Sequence, residues 1–88
     1  MYKSHFTGKF KSDVKLCVKR NYNMNLLNEA IIFLLENGFL PPEYLPHPLK
    51  GTNYDDWECH IKPDWLMIWY INDNEITFVR TGTHSDLF

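Results

Sequence analysis

The sequence predicts an α+β fold in which two helices pack on one face of a sheet. The spacing of apolar residues changes from two to a helical period near Lys9. A proline-rich segment, Phe39 to Gly51, separates this helical half from the C-terminal third. There, short β-type runs alternate with turn residues, as in an antiparallel meander. We expect one domain, residues 1–88, with the order strand, helix, helix, loop and three strands.

The N-terminal segment predicts one strand and two amphipathic helices. Apolar and polar side chains alternate from Tyr2 to Phe6, as in a strand. The first helix begins at Lys9, and its apolar stripe consists of Phe10, Val14, Cys17 and Val18. The stripe of the second, more buried helix consists of Met24, Leu27, Ala30, Ile31, Leu34 and Leu35. Asn23 is its predicted N-cap and Gly38 its left-handed C-terminal residue.

Four prolines between Phe39 and Gly51 forbid a helix and disfavour a central strand. We expect a stiff loop that holds His47 in a fixed place. A polar turn from Thr52 to Asp56 then leads into the first strand of the meander.

The C-terminal third predicts three strands and two turns. The strands are Trp57 to Ile61, Trp65 to Ile71 and Glu75 to Thr81, and the turns are Lys62 to Asp64 and Asn72 to Asn74. The middle run is too apolar to be half exposed, so it is predicted to be central and covered on both faces. In the first strand, alternation directs Glu58 and His60 away from the core, opposite to Cys59.

Charge is unevenly distributed along the chain. Residues 1–20 hold six Lys and Arg against one Asp, a net charge of +5, and residues 21–88 hold three against ten carboxylates, a net charge of −7. A basic face can therefore meet RNA although the net charge is −2. No apolar run approaches the roughly 20 residues of a membrane span, and the N-terminus lacks a signal-type apolar region. We expect a cytoplasmic protein without a membrane partner.

Several residues in the sheet half are suited to proton transfer and phosphate binding. The candidates for general acid or base are Glu58, His60, Asp64, His47 and His84. Arg80 is the candidate phosphate clamp, because its planar fork matches phosphate oxygens, although it could instead pair with Glu58. Taken alone, these residues are equally compatible with a solvated surface.

The residue types also allow a zinc site built from His47, Cys59, His60 and His84. This reading is weak because Cys59 and His60 alternate to opposite faces of a regular strand. Cys17 and Cys59 are better explained as small buried residues than as a disulfide. We therefore expect no metal and no cofactor.

Three motifs resemble the YafQ-type branch of the RelE/ParE superfamily, the toxins of bacterial type II toxin–antitoxin pairs. They are His47-Pro48-Leu49-Lys50-Gly51, His60-x-Lys62-Pro63-Asp64-Trp65, and the segment from Arg80 to Phe88. The resemblance covers the whole chain and implies a RelE-like fold. It also implies a ribosome-dependent endoribonuclease that cleaves mRNA in the A site by metal-independent acid–base attack of the 2′-hydroxyl.

The resemblance implies that His47, His60, Asp64, His84 and Phe88 match functional positions of the family, with Glu58 and Arg80 matching those of close relatives. We expect His84 to be the general acid and Arg80 the transition-state clamp, with His60 or a carboxylate as base. Phe88 is either a core plug or a surface on which a base stacks.

Five lysines are the predicted substrate-binding cations: Lys50, Lys62, Lys11, Lys15 and Lys19. The last three form a stripe on the first helix, either a solvated face or a phosphate-tracking surface. The partners implied are a cognate antitoxin that wraps the first helix, and mRNA on the ribosome with 16S rRNA contacts. The alternative function is a non-catalytic ParE-like binding toxin or an inactive relative.

The turn between the first two strands of the meander decides whether two candidates meet. A three-residue loop, Ile61 to Pro63, would place His60 and Asp64 on one face. A two-residue loop would place them on opposite faces. A shared site requires that Asp64 also lies near His84.

Overall fold

A computed structural model describes residues 1–51 and 55–88 as a five-stranded sheet with helices packed on one face. The strands are β1 (Lys3–Phe6), β2 (His47–Pro48), β3 (Trp57–Lys62), β4 (Trp65–Asn72) and β5 (Glu75–Gly82). The helices are α1 (Gly8–Lys19), α2 (Met24–Asn37) and α3 (His84–Leu87), with a 3-10 turn at Pro42–Tyr44. The predicted turn from Thr52 to Asp56 lies partly outside the described residues.

The sheet has the strand order β1-β5-β4-β3-β2. The predicted meander is confirmed, because β3, β4 and β5 pair antiparallel in sequence order. Strand β1 pairs parallel with β5, so the N-terminus joins the sheet beside its last strand. Strand β4 is central as predicted, and its residues from Trp65 to Trp69 are buried, whereas Ile71 is 38% exposed.

Capping residues set the limits of α1 and α2. Thr7 Oγ1 accepts a hydrogen bond from Phe10 N (3.0 Å), so α1 starts at Gly8, one residue before the predicted start. Asn23 caps α2 as predicted, accepting from Asn25 N (3.1 Å). Gly38 ends α2 in the left-handed conformation. A Cβ atom at that position would lie 2.7 Å from the Tyr2 hydroxyl oxygen. Any other residue there would therefore be disfavoured both by the left-handed backbone conformation and by the close contact with Tyr2.

The core lies between the two long helices and one face of the sheet. It contains Phe10 and Cys17 from α1, Leu27, Ala30 and Leu34 from α2, and Cys59, Trp65, Met67, Trp69, Ile76 and Phe78 from the strands. The predicted greater burial of α2 agrees with this set. The stripe of α1 ends early, because Val18 is 55% exposed. Within the described ranges, no helix has the combination of length and apolar content that crossing a membrane requires.

Two features outside the predicted order are short and lie near the same end of the sheet. The stiff loop contributes the two-residue strand β2, which pairs with β3 at the edge where proline is tolerated. After β5 the chain forms α3, which carries His84. Both additions position histidines, so they determine the geometry of the candidate site.

Candidate active site

Three histidines from three different segments form a row. The ring centroids of His47, on β2, and His60, on β3, are 6.2 Å apart. The ring of His84, at the start of α3, lies 6.0 Å from that of His60 on the other side. Fold topology therefore brings together the three histidines that sequence analysis named as candidates for proton transfer.

Asp64 holds His84 by two hydrogen bonds. Its Oδ1 accepts from the backbone N of His84 (2.9 Å) and from the ring Nδ1 (2.6 Å). The backbone N–H and then the ring of His84 lower the pKa of Asp64, so this carboxyl is ionised at neutral pH. Because Nδ1 faces the carboxylate, Nε2 of His84 is the nitrogen available to a substrate.

The β3–β4 turn places Asp64 differently from either simple loop. Lys62 pairs with Trp65, so the connection is the two residues Pro63 and Asp64, not the three-residue loop. A bulge between His60 and Lys62 changes the register. Asp64 therefore sits at the tip of the turn instead of on a strand face. From there it contacts His84, so the condition for a shared site is met.

His60 is oriented by the same turn. Its Nδ1 donates to the carbonyl oxygen of Pro63 (3.2 Å). That bond fixes the tautomer in which Nε2 carries a lone pair. A nitrogen of this kind can accept a proton, and it lies between the other two histidines of the row.

Glu58 and His47 form a second carboxylate–histidine pair. His47 Nε2 lies 3.1 Å from Glu58 Oε1, and His47 Nδ1 lies 2.9 Å from the Leu45 carbonyl oxygen. Glu58 is on the predicted side of β3, but it is only 6% exposed. Both ring nitrogens of His47 therefore have protein partners, and Glu58 is placed to position His47.

Arg80 is held by a residue that sequence reasoning did not single out. Its Nε and Nη2 donate to the two carboxylate oxygens of Asp13 at 2.7 and 3.1 Å, and Thr81 N donates to the same group at 3.1 Å. The Asp13 bond raises the pKa of Arg80 above its usual value. The alternative pairing of Arg80 with Glu58 is wrong, and its role as a phosphate clamp stays a prediction.

A second ion pair fixes α3, and with it His84, to the end of α1. Arg20 donates from Nη1 and Nη2 to Asp86 at 2.6 and 3.0 Å. Asp86 also accepts from the backbone of Thr83 in a capping box. Arg20 and these Thr83 bonds hold the pKa of Asp86 far below its ordinary value. Sequence analysis singled out neither Asp86 nor Asp13. One signal pointed to Asp13, because it is the single acid within the basic first twenty residues.

The predicted substrate-binding residues all lie at the surface. Lys11, Lys15, Lys19, Lys50 and Lys62 are exposed. Phe88 is 71% exposed, so the core-plug alternative is wrong and stacking on a base stays a prediction. Lys62 and His60 line a shallow cavity of about 350 Å³ beside the histidine row.

Cys59 does not join the histidines. It is wholly buried in the core, and this burial raises the pKa of its thiol to about 12. Within residues 1–51 and 55–88, no three His, Cys, Asp or Glu side chains are placed to hold one metal ion.

Comparison with known proteins identifies the family. The sequence profile of a family described as the bacterial toxin of type II toxin–antitoxin system, YafQ, matches residues 2–88. This chain belongs to the YafQ family. The mRNA interferase toxin YafQ of Escherichia coli strain K12 is 39% identical over 84 residues, which cover 94% of this chain and 91% of the relative. The resemblance carried by the three motifs is thus confirmed.

Solved structures of YafQ-type toxins share the fold. A metal-bound toxin from Helicobacter pylori is 39% identical, with a TM-score of 0.92 and complete coverage of both chains. The E. coli DinJ–YafQ complex is 38% identical, with a TM-score of 0.88, and covers 100% of this chain and 99% of that one. The predicted RelE-like α+β fold agrees with these structures. The E. coli toxin in that complex is bound to DinJ.

Proposed function

We propose that this YafQ-family toxin is a cytoplasmic, ribosome-dependent endoribonuclease that cleaves mRNA in the A site. The observation that carries the proposal is the contact of Asp64 with His84 beside His60. A carboxylate that fixes one nitrogen of an exposed imidazole leaves the other nitrogen for proton transfer. The name mRNA interferase, which the E. coli relatives carry, supports the same reaction class.

The reaction is internal transesterification at a phosphodiester. The 2′-oxygen attacks phosphorus, the bond from phosphorus to the 5′-oxygen breaks, and a 2′,3′-cyclic phosphate and a free 5′-hydroxyl result. A base removes the 2′-hydroxyl proton, and an acid donates a proton to the departing 5′-oxygen. Two proton-transfer groups must therefore face the same phosphate from opposite sides.

His84 and His60 suit these two steps. Protonated His84 keeps its Nδ1–H on Asp64 and can donate from Nε2 to the leaving oxygen. His60 uses Nδ1 to donate to the Pro63 carbonyl, so its Nε2 can accept the 2′-hydroxyl proton. We assign His84 as general acid and His60 as base, with Asp64 as the residue that positions the acid.

Arg80 is the proposed electrostatic stabiliser of the phosphorane. Its Nε and Nη2 are occupied by Asp13, which fixes the plane of the guanidinium and leaves donors on Nη1. Glu58 supports the other end of the site by holding His47. The lysines of α1, together with Lys50 and Lys62, supply the charge for contacts with mRNA and 16S rRNA.

We propose further that a cognate antitoxin covers α1. The face between α1 and α2 carries an apolar groove of about 520 Å³, and Lys11 and Lys15 contribute to its lining. An apolar groove with cations at its rim suits an amphipathic, acidic segment. The toxin–antitoxin complex of E. coli YafQ with DinJ gives a precedent for antitoxin binding within the family.

The enzymatic proposal is tested with purified variants on programmed ribosomes. Single-turnover cleavage by His84→Ala should be slower by roughly 10²- to 10⁴-fold, the usual contribution of a positioned acid or base. His5→Ala is the matched control, because His5 is exposed on β1, outside the histidine row. A folded His84→Ala protein that cleaves at the wild-type rate would remove His84 from the mechanism. A wild-type protein that leaves mRNA intact on the ribosome would favour the binding-toxin alternative.

The antitoxin proposal is tested by charge reversal on the groove. Lys11→Glu/Lys15→Glu should weaken binding of the cognate antitoxin and make it less sensitive to salt. Lys3→Glu/Lys9→Glu changes the net charge equally, at exposed positions outside the groove lining. Equal loss of affinity in both double variants would show that only net charge matters.

A further inference from the structure

A cavity adjoins Asp64, the carboxylate that positions His84, and is not used by the proton-transfer steps. It has a volume of about 320 Å³ and is lined by Tyr22, Asn23, Lys62, Asp64, Trp65 and Thr83. This volume is at the lower limit of about 300 Å³ for small-molecule sites, so it suits one ring system and not a whole nucleotide. Asp64 belongs both to this cavity and to the pair that positions His84.

The walls of the cavity have the chemistry of a base-binding site. The ring of Tyr22 lies 4.8 Å from that of Trp65, at an angle of 55°. Trp65 is 3% exposed, and its Nε1 donates to Thr81 Oγ1 (2.9 Å), so this wall is fixed from behind. Aromatic side chains of this kind stack on the unpaired bases of single-stranded RNA.

The polar groups at the rim complement the edge and backbone of a nucleotide. Asn23 uses its side-chain oxygen to cap α2, which leaves its NH₂ group as a donor. Lys62 places an exposed cation at the rim, where the phosphate of the same nucleotide would lie. Asp64 connects this rim to the general acid.

We propose that this cavity binds the nucleobase of a nucleotide adjacent to the scissile phosphate. Tyr22 provides the stacking surface, supported from behind by the buried ring of Trp65, and Asn23 contributes to discrimination between bases. The inference rests on the proposed endoribonuclease activity and assigns it a specificity site. Tyr22 and Asn23 lie between α1 and α2, far in sequence from every motif that suggested the active site.

Cleavage of abasic substrates tests the site directly. Programmed ribosomes carry mRNAs in which one nucleotide at a time near the cleavage point lacks its base. We expect one abasic position to slow the wild type by about 10- to 100-fold, the effect of losing one stacked base. Tyr22→Ala should cleave intact mRNA more slowly by a similar factor. Removing the base at that position should then slow Tyr22→Ala no further. The proposal is overturned if the losses caused by Tyr22→Ala and by the missing base multiply at every position. It is also overturned if Tyr22→Ala cleaves intact mRNA at the wild-type rate.

Two further variants separate stacking, hydrogen bonding and folding. Tyr22→Phe keeps the ring and should cleave near the wild-type rate, whereas a loss equal to that of Tyr22→Ala would contradict stacking. Asn23→Ser keeps an oxygen that can cap α2 but removes the NH₂ donor. It should reduce discrimination between bases at that one position by about 10-fold. Unchanged preference at that position would remove Asn23 from the site.

A binding measurement separates failure of this site from failure of the proposed activity. The probe is a trinucleotide with 2′-O-methyl groups, which cannot be cleaved, titrated into the free protein. The indole N–H resonance of Trp65 should shift in the wild type and not in Tyr22→Ala, while Trp57 serves as the internal reference. If the wild type cleaves no mRNA, the enzymatic proposal fails, and the Trp65 shift alone tests whether the cavity binds a base. Absence of that shift would then overturn the proposed base-binding site.

Discussion

Replacing Asp13 by asparagine should destabilise the fold by about 2 kcal/mol. Asp13 accepts three hydrogen bonds, from Nε and Nη2 of Arg80 and from Thr81 N. The variant loses the ionic attraction and keeps only one side-chain oxygen as an acceptor. The guanidinium of Arg80 would stay partly buried without its anionic partner, so the free-energy cost of its desolvation would no longer be offset.

The exposure of the two side chains sets the magnitude. Exposed ion pairs contribute up to about 1 kcal/mol, and breaking a fully buried pair costs about 3–5 kcal/mol. The side chain of Asp13 is 12% exposed and that of Arg80 is 27% exposed, so this pair lies between the limits. For a domain of this size, about 2 kcal/mol corresponds to a decrease of roughly 10 °C in the melting temperature.

A double-mutant cycle measured by urea denaturation checks the assignment. Arg80→Met keeps the apolar stem and removes the charge, so Asp13→Asn should cost much less in that background than in the wild type. Asp55→Asn, at an exposed carboxylate elsewhere, controls for the change in net charge. If the effects of Asp13→Asn and Arg80→Met are additive, the ion pair does not stabilise the protein and the reasoning fails.

Three more outcomes follow from the described contacts. Asp64→Asn should slow cleavage by about 10²-fold with little change in stability, because it alters the orientation of an exposed His84; single-turnover kinetics and thermal denaturation measure the two effects. The pKa values of Asp64 and Asp86 lie below the usual value of about 3.9, so both carboxylates stabilise the fold above that pH and lose this contribution as the pH falls further. The contribution of Asp64 is small, because its side chain is 66% exposed, against 20% for Asp86. Melting temperatures measured from about pH 5 to pH 2 should therefore decrease, and less steeply for Asp86→Asn, which no longer pairs as an anion with Arg20. Lys15→Ala should weaken ribosome binding and flatten its salt dependence without changing the chemical step, as a titration of affinity against salt would show.

Local elements were predictable because their signals are local. Both ends of α2 were predicted from single residues that flank its apolar stripe, Asn23 before it and Gly38 after it. The apolar run of β4 indicated a central strand, which pairing on both sides confirms. These signals arise from backbone capping and burial, which depend on neighbours within a few residues.

Long-range pairings were not predictable by the same reasoning. Strand β1 pairs with β5 across about seventy residues of sequence, from Lys3 to Glu75. No turn residue encodes a parallel pairing, since the chain between these strands forms two helices and most of the sheet. Strand β2 is two residues long and was included in a stiff loop, because its pairing is decided by the edge of β3.

The candidate site shows the same division. The histidines were visible beside their turns, but the residue that holds each functional group was often distant. Asp13 holds Arg80 across 67 positions, and the bulge after His60 allows a two-residue turn to bring Asp64 to His84. A bulge depends on how two strands fit against a core, which alternation along one strand does not reveal.

The arrangement of ion pairs is compatible with the proposed contact between RNA and a protein of net charge −2. In the part of the chain that the structure describes, the ion pairs involve both arginines and two histidines, and none involves a lysine. The arginines hold α1 against β5 and α3, which fits their capacity for bidentate pairing with carboxylates. The exposed lysines are the cations that the proposed function assigns to phosphates. Net charge is thus a poor guide to the proposed substrate, because it does not distinguish carboxylates that pair with arginines inside the scaffold from lysines that stay exposed at the surface.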